Sequence, residues 1–108
     1  MPMLFLNLQD LEEKEPMPGF RGRFVHSENM TFAYWDIAAG APLPEHSHAP
    51  EQITFVLEGE LRLSVNGETN VLGPGAVAIV QSKAIHSGEA LTPCRLIDVF
   101  YPIREDYR

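Results

Sequence analysis

Gly40-Ala-Pro-Leu-Pro-Glu-His46-Ser-His48-Ala-Pro-Glu-Gln52, followed by Gly59 at the far end of the next strand-like run, is the stretch that decides the fold. Two histidines at i and i+2 project to the same side of an extended chain, so His46 and His48 can turn their imidazoles towards one ion. Pro50 then turns the chain, and Gln52 begins a strand with its side chain available on one face. A fourth ligand has to come from elsewhere, and the remaining histidines are His26 and His86. His86 follows the Gly73-Pro74-Gly75 turn in a strand-like run, whereas His26 lies near the N-terminal arm. The expected set is therefore His46, His48, Gln52 and His86 around one divalent transition metal ion. Imidazole and amide ligands admit Zn, Ni, Fe, Mn or Co without choosing among them. Three neutral imidazoles and a neutral amide leave the ion's charge uncompensated, which favours an anionic or enolate-like ligand. The competing reading is a metal-free barrel whose histidines only decorate a loop.

Outward from this stretch the chain breaks into short runs rich in Ile, Val, Phe, Tyr and Thr: 30–37, 52–57, 60–65, 76–80, 85–91 and 94–101. Turn signals such as Glu58-Gly59 and Asn66-Gly67 separate them and suit hairpins between antiparallel strands. No segment sustains a helical period. The expectation is one all-β domain over residues 1–108, with 1–22 as an N-terminal arm that is irregular from residue 9 and whose acidic run at Glu12, Glu13 and Glu15 is a solvated face. In the run 53–57, Gln52, Thr54 and Val56 share one face while Ile53, Phe55 and Leu57 share the other. If the first faces the barrel interior, the second needs a cover from the arm or from a second subunit, and a homodimer is expected.

A formal charge of −7 repels phosphate backbones, so neither nucleic acid nor an anionic membrane is an expected partner. The apolar run 1–8 has no basic residues before it and acidic ones directly after, unlike a signal peptide, and no stretch is long enough to span a bilayer. The single cysteine, Cys94, cannot form an internal disulfide and suits a small core position, so a cytoplasmic protein is the default expectation. Arg21, Arg23 and Arg62 can each help to hold an anion or simply face solvent, with Arg23 the best placed. Phe32, Tyr34 and Trp35 suit core packing or interface cover.

The last strand-like run places Cys94, Leu96, Asp98 and Phe100 on one face, lining up a carboxylate with apolar neighbours. A buried carboxylate needs a reason. Asp98 can pair with an arginine such as Arg104 or Arg23, or cap a turn; equally, it can move protons at a substrate. Spacing alone does not separate the two.

With these residues in place, the chain from about Gly40 to Tyr101 resembles the cupin superfamily, whose fold is a double-stranded β-helix or jelly-roll barrel. Gly40, His46, His48, Gln52 and Gly59 are similar to its first motif, with Gln52 where a Glu is usual and Glu51 out of register, facing the other way. Gly75 and His86 match the spacing of the second motif, although Gln81, Lys83 and Ala90 stand where Pro, Gly and Asn are usual. Asp98-x-Phe100-x-Pro102-x-Arg104-Glu-Asp-Tyr, with His86-Ser-Gly88 upstream, resembles the KdgF-type pectin-degradation cupins. Those proteins act on 4,5-unsaturated uronate monosaccharides and promote opening of the ring to the linear keto form. The resemblance implies His46, His48, Gln52 and His86 as metal ligands, and Asp98, Phe100 and Arg104 as catalytic, substrate-side residues acting on a small anionic sugar. Asp98 would take the proton of the anomeric hydroxyl, Arg104 would clasp the carboxylate, and Phe100 would pack against the ring. A metal-dependent dioxygenase and a non-catalytic sugar- or effector-binding cupin are the alternatives.

Overall fold

In the computed structural model, which describes residues 4–108, ten strands form two antiparallel sheets. They are β1 (Lys14–Met17), β2 (Phe20–His26), β3 (Thr31–Ile37), β4 (Pro42–His46), β5 (Glu51–Glu58), β6 (Leu61–Val65), β7 (Glu68–Leu72), β8 (Val77–Val80), β9 (His86–Ala90) and β10 (Cys94–Tyr101). The larger sheet runs β1-β2-β3-β10-β5-β8 and the smaller β4-β9-β6-β7. The only helical pieces among the described residues are 3-10 turns at Leu8–Asp10 and Glu105–Tyr107, and no helix there is long and apolar enough to cross a membrane. The two sheets face each other as the expected jelly-roll barrel.

Alternation dictates the interior. Along β3, β5 and β10 every second side chain is buried: Thr31, Ala33, Trp35 and Ile37; Gln52, Thr54 and Val56; Cys94, Leu96, Asp98 and Phe100. The deep end of the barrel is apolar, with Phe20, Trp35, Ile37, Leu61 and Leu96 in one cluster, and Cys94 is a core residue as its type suggests. The polar members Thr31, Gln52, Thr54, His86, Asp98 and Arg104 gather at the other end, where β5 and β9 begin and β10 finishes. The same alternation builds an outer face. Register places Val25, Phe32, Val99, Ile53 and Ile79 side by side across five strands, with Arg23, Tyr34, Ile97, Phe55 and Val77 as the adjacent row.

Three expectations change. The segment 9–22 is ordered: β1 and β2 form a hairpin that turns at Gly19, whose φ of +83° suits a residue without a Cβ, while residues 1–3 of the expected arm lie outside the described region. The acidic run there is paired as well as solvated, since Glu13 lies 3.8 Å from Arg21 and 3.6 Å from Arg23, and Glu15 accepts the amide of Gly19. Second, β4 is a strand despite Pro42 and Pro44, which its place at a sheet edge tolerates. Third, Asn66-Gly67 does make a tight hairpin, with φ of +49° and +85°, but the returning strand β7 carries no alternation because four of its five residues are exposed.

Candidate metal centre

His46 ends β4, His86 begins β9, and the two stand opposite each other in the ladder, so a single strand pair fixes both. His48 follows two residues later in the loop that leads to β5. The available ring nitrogens of these three histidines lie within 4.8 Å of one another. Each ring is held by a local backbone carbonyl: Nδ1 of His46 bonds to Pro44 O at 2.9 Å, that of His48 to Pro50 O at 2.7 Å, and that of His86 to Ala84 O at 2.9 Å. A carbonyl only accepts, so all three Nδ1 atoms carry the proton and all three Nε2 atoms present lone pairs. Burial pushes the pKa of His48 down and that of His86 down to about 4, which keeps both rings neutral.

Gln52 completes the ring of donors through its own supports. Its Nε2 donates to Thr54 Oγ1 at 2.8 Å and to Asp98 Oδ1 at 3.2 Å, so its carbonyl oxygen faces the imidazoles and lies 3.1 Å from His48 Nε2. Two acceptors facing each other at that distance repel unless a cation lies between them. The spacing fits one: two ligands about 2.1 Å from an ion and at right angles are about 3 Å apart. Buried His86 Nε2 has no hydrogen-bond partner, the one such side-chain atom among the described residues. The donor set thus fits a divalent metal ion, with carbonyl oxygens as the outer shell that fixes the imidazoles. Glu51 is exposed and outside the cluster. His26 is engaged elsewhere, with Nδ1 2.9 Å from Thr31 Oγ1 and Nε2 3.1 Å from Tyr107 O.

Asp98, 8% exposed, accepts three hydrogen bonds: from Trp35 Nε1 at 3.0 Å, Thr54 Oγ1 at 2.6 Å and Gln52 Nε2 at 3.2 Å. Burial pushes its carboxyl up to about 6, against the pull of these donors and of the Arg104 charge. Its reason for burial is therefore not an arginine ion pair. Arg104 instead makes a two-pronged pair with Asp106, at 2.9 and 2.7 Å, and its guanidinium lies 4.7 Å from the centre of the Phe100 ring and 4.2 Å from that of Tyr107. Arg23 also proves structural, donating from Nη1 to the carbonyls of Leu8, Gln9 and Leu11. Phe100 is 1% exposed, faced by Arg104 and by the His48 ring at 5.6 Å, so it supports those two side chains and offers no open platform for a sugar.

His46, Gln52, His86, Asp98 and Arg104 line one cavity. Sequence reasoning did not assign Trp35, Thr54, Asp106 or Tyr107 to this site. Thr54 was signalled by sharing a strand face with Gln52; the contact of Trp35 with Asp98 depends on the β3–β10 register, which no local pattern reveals.

The solved structures with this architecture include an RmlC-like cupin from Shewanella frigidimarina, 26% identical with a TM-score of 0.93 over 99% of this chain and 97% of that one. KdgF from Halomonas sp. is 25% identical, with a TM-score of 0.89 over the whole of both chains. Among curated proteins, an uncharacterized protein of Streptomyces coelicolor is 26% identical over 102 residues, covering 93% of this chain and 97% of that protein. Residues 33–100, from the strand that carries Trp35 to the one that carries Asp98, match the family model of the cupin domain, and the chain belongs to that family.

Proposed function

We propose that this protein is a metal-dependent enzyme that opens the ring of 4,5-unsaturated uronate monosaccharides to the linear keto form. The observation that carries the reading is the placement of a buried carboxylate of raised proton affinity, Asp98, in the same cavity as His46, His86, Gln52 and the buried Arg104, with His48 converging on the same two imidazoles. The overall likeness to KdgF from Halomonas and the Asp98-x-Phe100-x-Pro102-x-Arg104 pattern support it.

His46, His48, His86 and Gln52 would hold the ion, which when bound supplies Lewis acidity towards the substrate's oxygens. Asp98 has the position and proton affinity to accept the proton of the anomeric hydroxyl. As that proton leaves, the bond between the anomeric carbon and the ring oxygen breaks, and the electron pair passes to the ring oxygen as an enolate across the former double bond. Return of the proton to the adjacent carbon gives the keto form, so the reaction is a net isomerisation and consumes no co-reactant. Arg104 supplies a fixed positive charge for the substrate carboxylate, which competes with Asp106 for the guanidinium. Phe100 and Tyr107 keep that guanidinium flat and in place. The partner in this reading is a small anionic sugar, and the cytoplasm is the proposed location.

Purified, metal-loaded protein mixed with freshly generated 4,5-unsaturated galacturonate or mannuronate is expected to speed the loss of the ultraviolet absorbance of the enol-ether double bond. Chelation and Asp98→Ala should each return the rate to that of buffer. No acceleration at full metal occupancy would overturn the proposal and favour a dioxygenase or a binding module.

A further inference from the structure

His26 is the histidine that the metal centre does not use, and its ring ties the β2–β3 hairpin to the end of the chain. Register fixes it opposite Thr31 in the β2–β3 ladder and fixes Thr31 opposite Phe100 in the β3–β10 ladder. Thr31 is fully buried, and its Oγ1 accepts the backbone N–H of Arg104 at 2.9 Å. His26 Nε2 lies 3.1 Å from the carbonyl oxygen of Tyr107, which only accepts, so in the neutral ring the proton sits on that nitrogen. Nδ1 is then left to accept the Thr31 hydroxyl at 2.9 Å. The turn from Arg104 to Tyr107 is closed on itself by Tyr107 N–H donating to Arg104 O at 3.1 Å, and the ion pair of Arg104 with Asp106 is also internal to it. Among the described residues, both hydrogen bonds from residues 104–108 to the rest of the barrel therefore end on the His26–Thr31 pair.

That turn carries the guanidinium of the cavity. Tyr107 stacks on Phe24 with ring centres 4.7 Å apart, and the guanidinium packs on both Tyr107 and Phe100. Such stacking fixes the separation of the flat groups but lets them slide past one another, whereas a hydrogen bond is directional. The two bonds to His26 and Thr31 therefore decide where the turn stands along the stack. We propose that His26 is a positioning residue for Arg104: with Thr31 it pins the turn 104–107 to the β2–β3 hairpin, and thereby sets the point from which the guanidinium takes the substrate's carboxylate. This role rests on the reading of Arg104 as the carboxylate clasp. It bears on substrate binding and not on proton transfer or metal binding, because neither ring nitrogen of His26 bonds to Asp98 or to a metal ligand. A two-pronged pair tolerates little misplacement of its donors, so a turn held by stacking alone should bind the carboxylate more weakly.

The test compares three variants of the full, metal-loaded chain in the uronate assay. His26→Ala removes both bonds and should raise KM roughly tenfold while kcat stays within about twofold, the pattern of an interaction made equally in the ground and transition states. His26→Gln keeps a donor that can reach the Tyr107 carbonyl and should restore KM to near the wild-type value, whereas His26→Asn keeps only an acceptor for Thr31 and should behave like His26→Ala. The rise in Tm on adding metal should be the same in all three as in the wild type. Amide hydrogen exchange read by NMR supplies a measurement that needs no turnover: in His26→Ala the Arg104 and Tyr107 amides should exchange about tenfold faster or more, with the β10 amides unchanged. A folded His26→Ala protein with wild-type KM overturns the proposal, as does a loss confined to kcat, or a His26→Gln protein no better than His26→Ala. A wild-type protein that turns over no unsaturated uronate overturns the ring-opening reading instead. The exchange rates then decide the bracket alone: unchanged protection at Arg104 and Tyr107 in His26→Ala overturns it, and lost protection supports it.

Discussion

The side chain on which the site turns is Gln52, because its amide reads two environments at once. Its nitrogen is held by Thr54 and Asp98, and that alone turns its oxygen towards the imidazoles. Glutamate at this position would be a stronger, anionic ligand, but it would also set a carboxylate oxygen about 3 Å from Asp98, where two like charges cannot both persist and a proton is retained. Gln52→Glu should therefore raise metal affinity by roughly tenfold or more while lowering turnover by a similar factor, since Asp98 would no longer be free to accept the substrate's proton. Competition with a chromophoric chelator measures the first quantity and the uronate assay the second; a variant with full turnover would detach Asp98 from proton transfer. Asp98→Ala also removes an anchor of Gln52, and loss of such an outer-shell partner typically costs 10- to 100-fold in affinity, so that comparison needs saturating metal. The proximity of His46 and His48 was legible because spacing within one extended segment is local information. The exchange of expected partners, with Asp98 bonded to Trp35 and Arg104 to Asp106, was not, because it depends on which strands become neighbours and on the path of the chain after β10.

Strands that alternate cleanly announced themselves, and those at the margins did not. β10 runs over Cys94–Tyr101 as expected, because it is central in its sheet and every second residue is buried. β1, β4 and β7 are edge strands, exposed along much of one or both faces, so neither a period of two nor β propensity marks them, and proline is tolerated in β4. Turns were better defined than the strands they join. Gly59, in the connection from β5 to β6, has φ +86°, and a Cβ there would lie 2.1 Å from the carbonyl oxygen of Pro93 in the loop before β10. That oxygen belongs to backbone and has little freedom to move aside. Gly59→Ala combines left-handed strain with a backbone clash and should cost about 2–4 kcal/mol, lowering Tm by roughly 10 °C or more in a chain of this size. Calorimetry of the purified variant checks it, and a change in Tm of less than a few degrees would mean that the connection has an easy alternative conformation. Gly40 and Gly75 have similar φ values but open space around them, so alanine there meets the strain without the clash.

At the scale of the whole molecule, the site is where the two sheets are joined chemically. His46 and His86 belong to the smaller sheet, Gln52 and Asp98 to the larger, and His48 to the connection between them. Backbone pairing holds each sheet together but no ladder links one sheet to the other, so at the polar end the sheets rely on side chains. Three lone pairs aimed at one point, one of them on a buried nitrogen without a partner, make that end the costliest part of the metal-free barrel. An ion bound to this donor set would close the end by cross-linking the sheets, and because an unfolded chain cannot present the same set, its binding would add to folding stability. At a free metal concentration about 100 times the dissociation constant the gain is about 2.7 kcal/mol, corresponding to a rise in Tm on the order of 10 °C for a domain of this size. Thermal unfolding should thus shift upwards with added metal and reverse with chelator, the shift for each ion rising with the logarithm of its affinity. His86→Ala should abolish the shift. It deletes a buried side chain but also removes the orphaned nitrogen, so the metal-free variant is expected to lose less stability than its burial alone suggests. A wild-type protein whose Tm ignores every divalent transition metal would show that the convergence of His46, His48 and His86 does not bind one, and the ring-opening chemistry would have no place to occur.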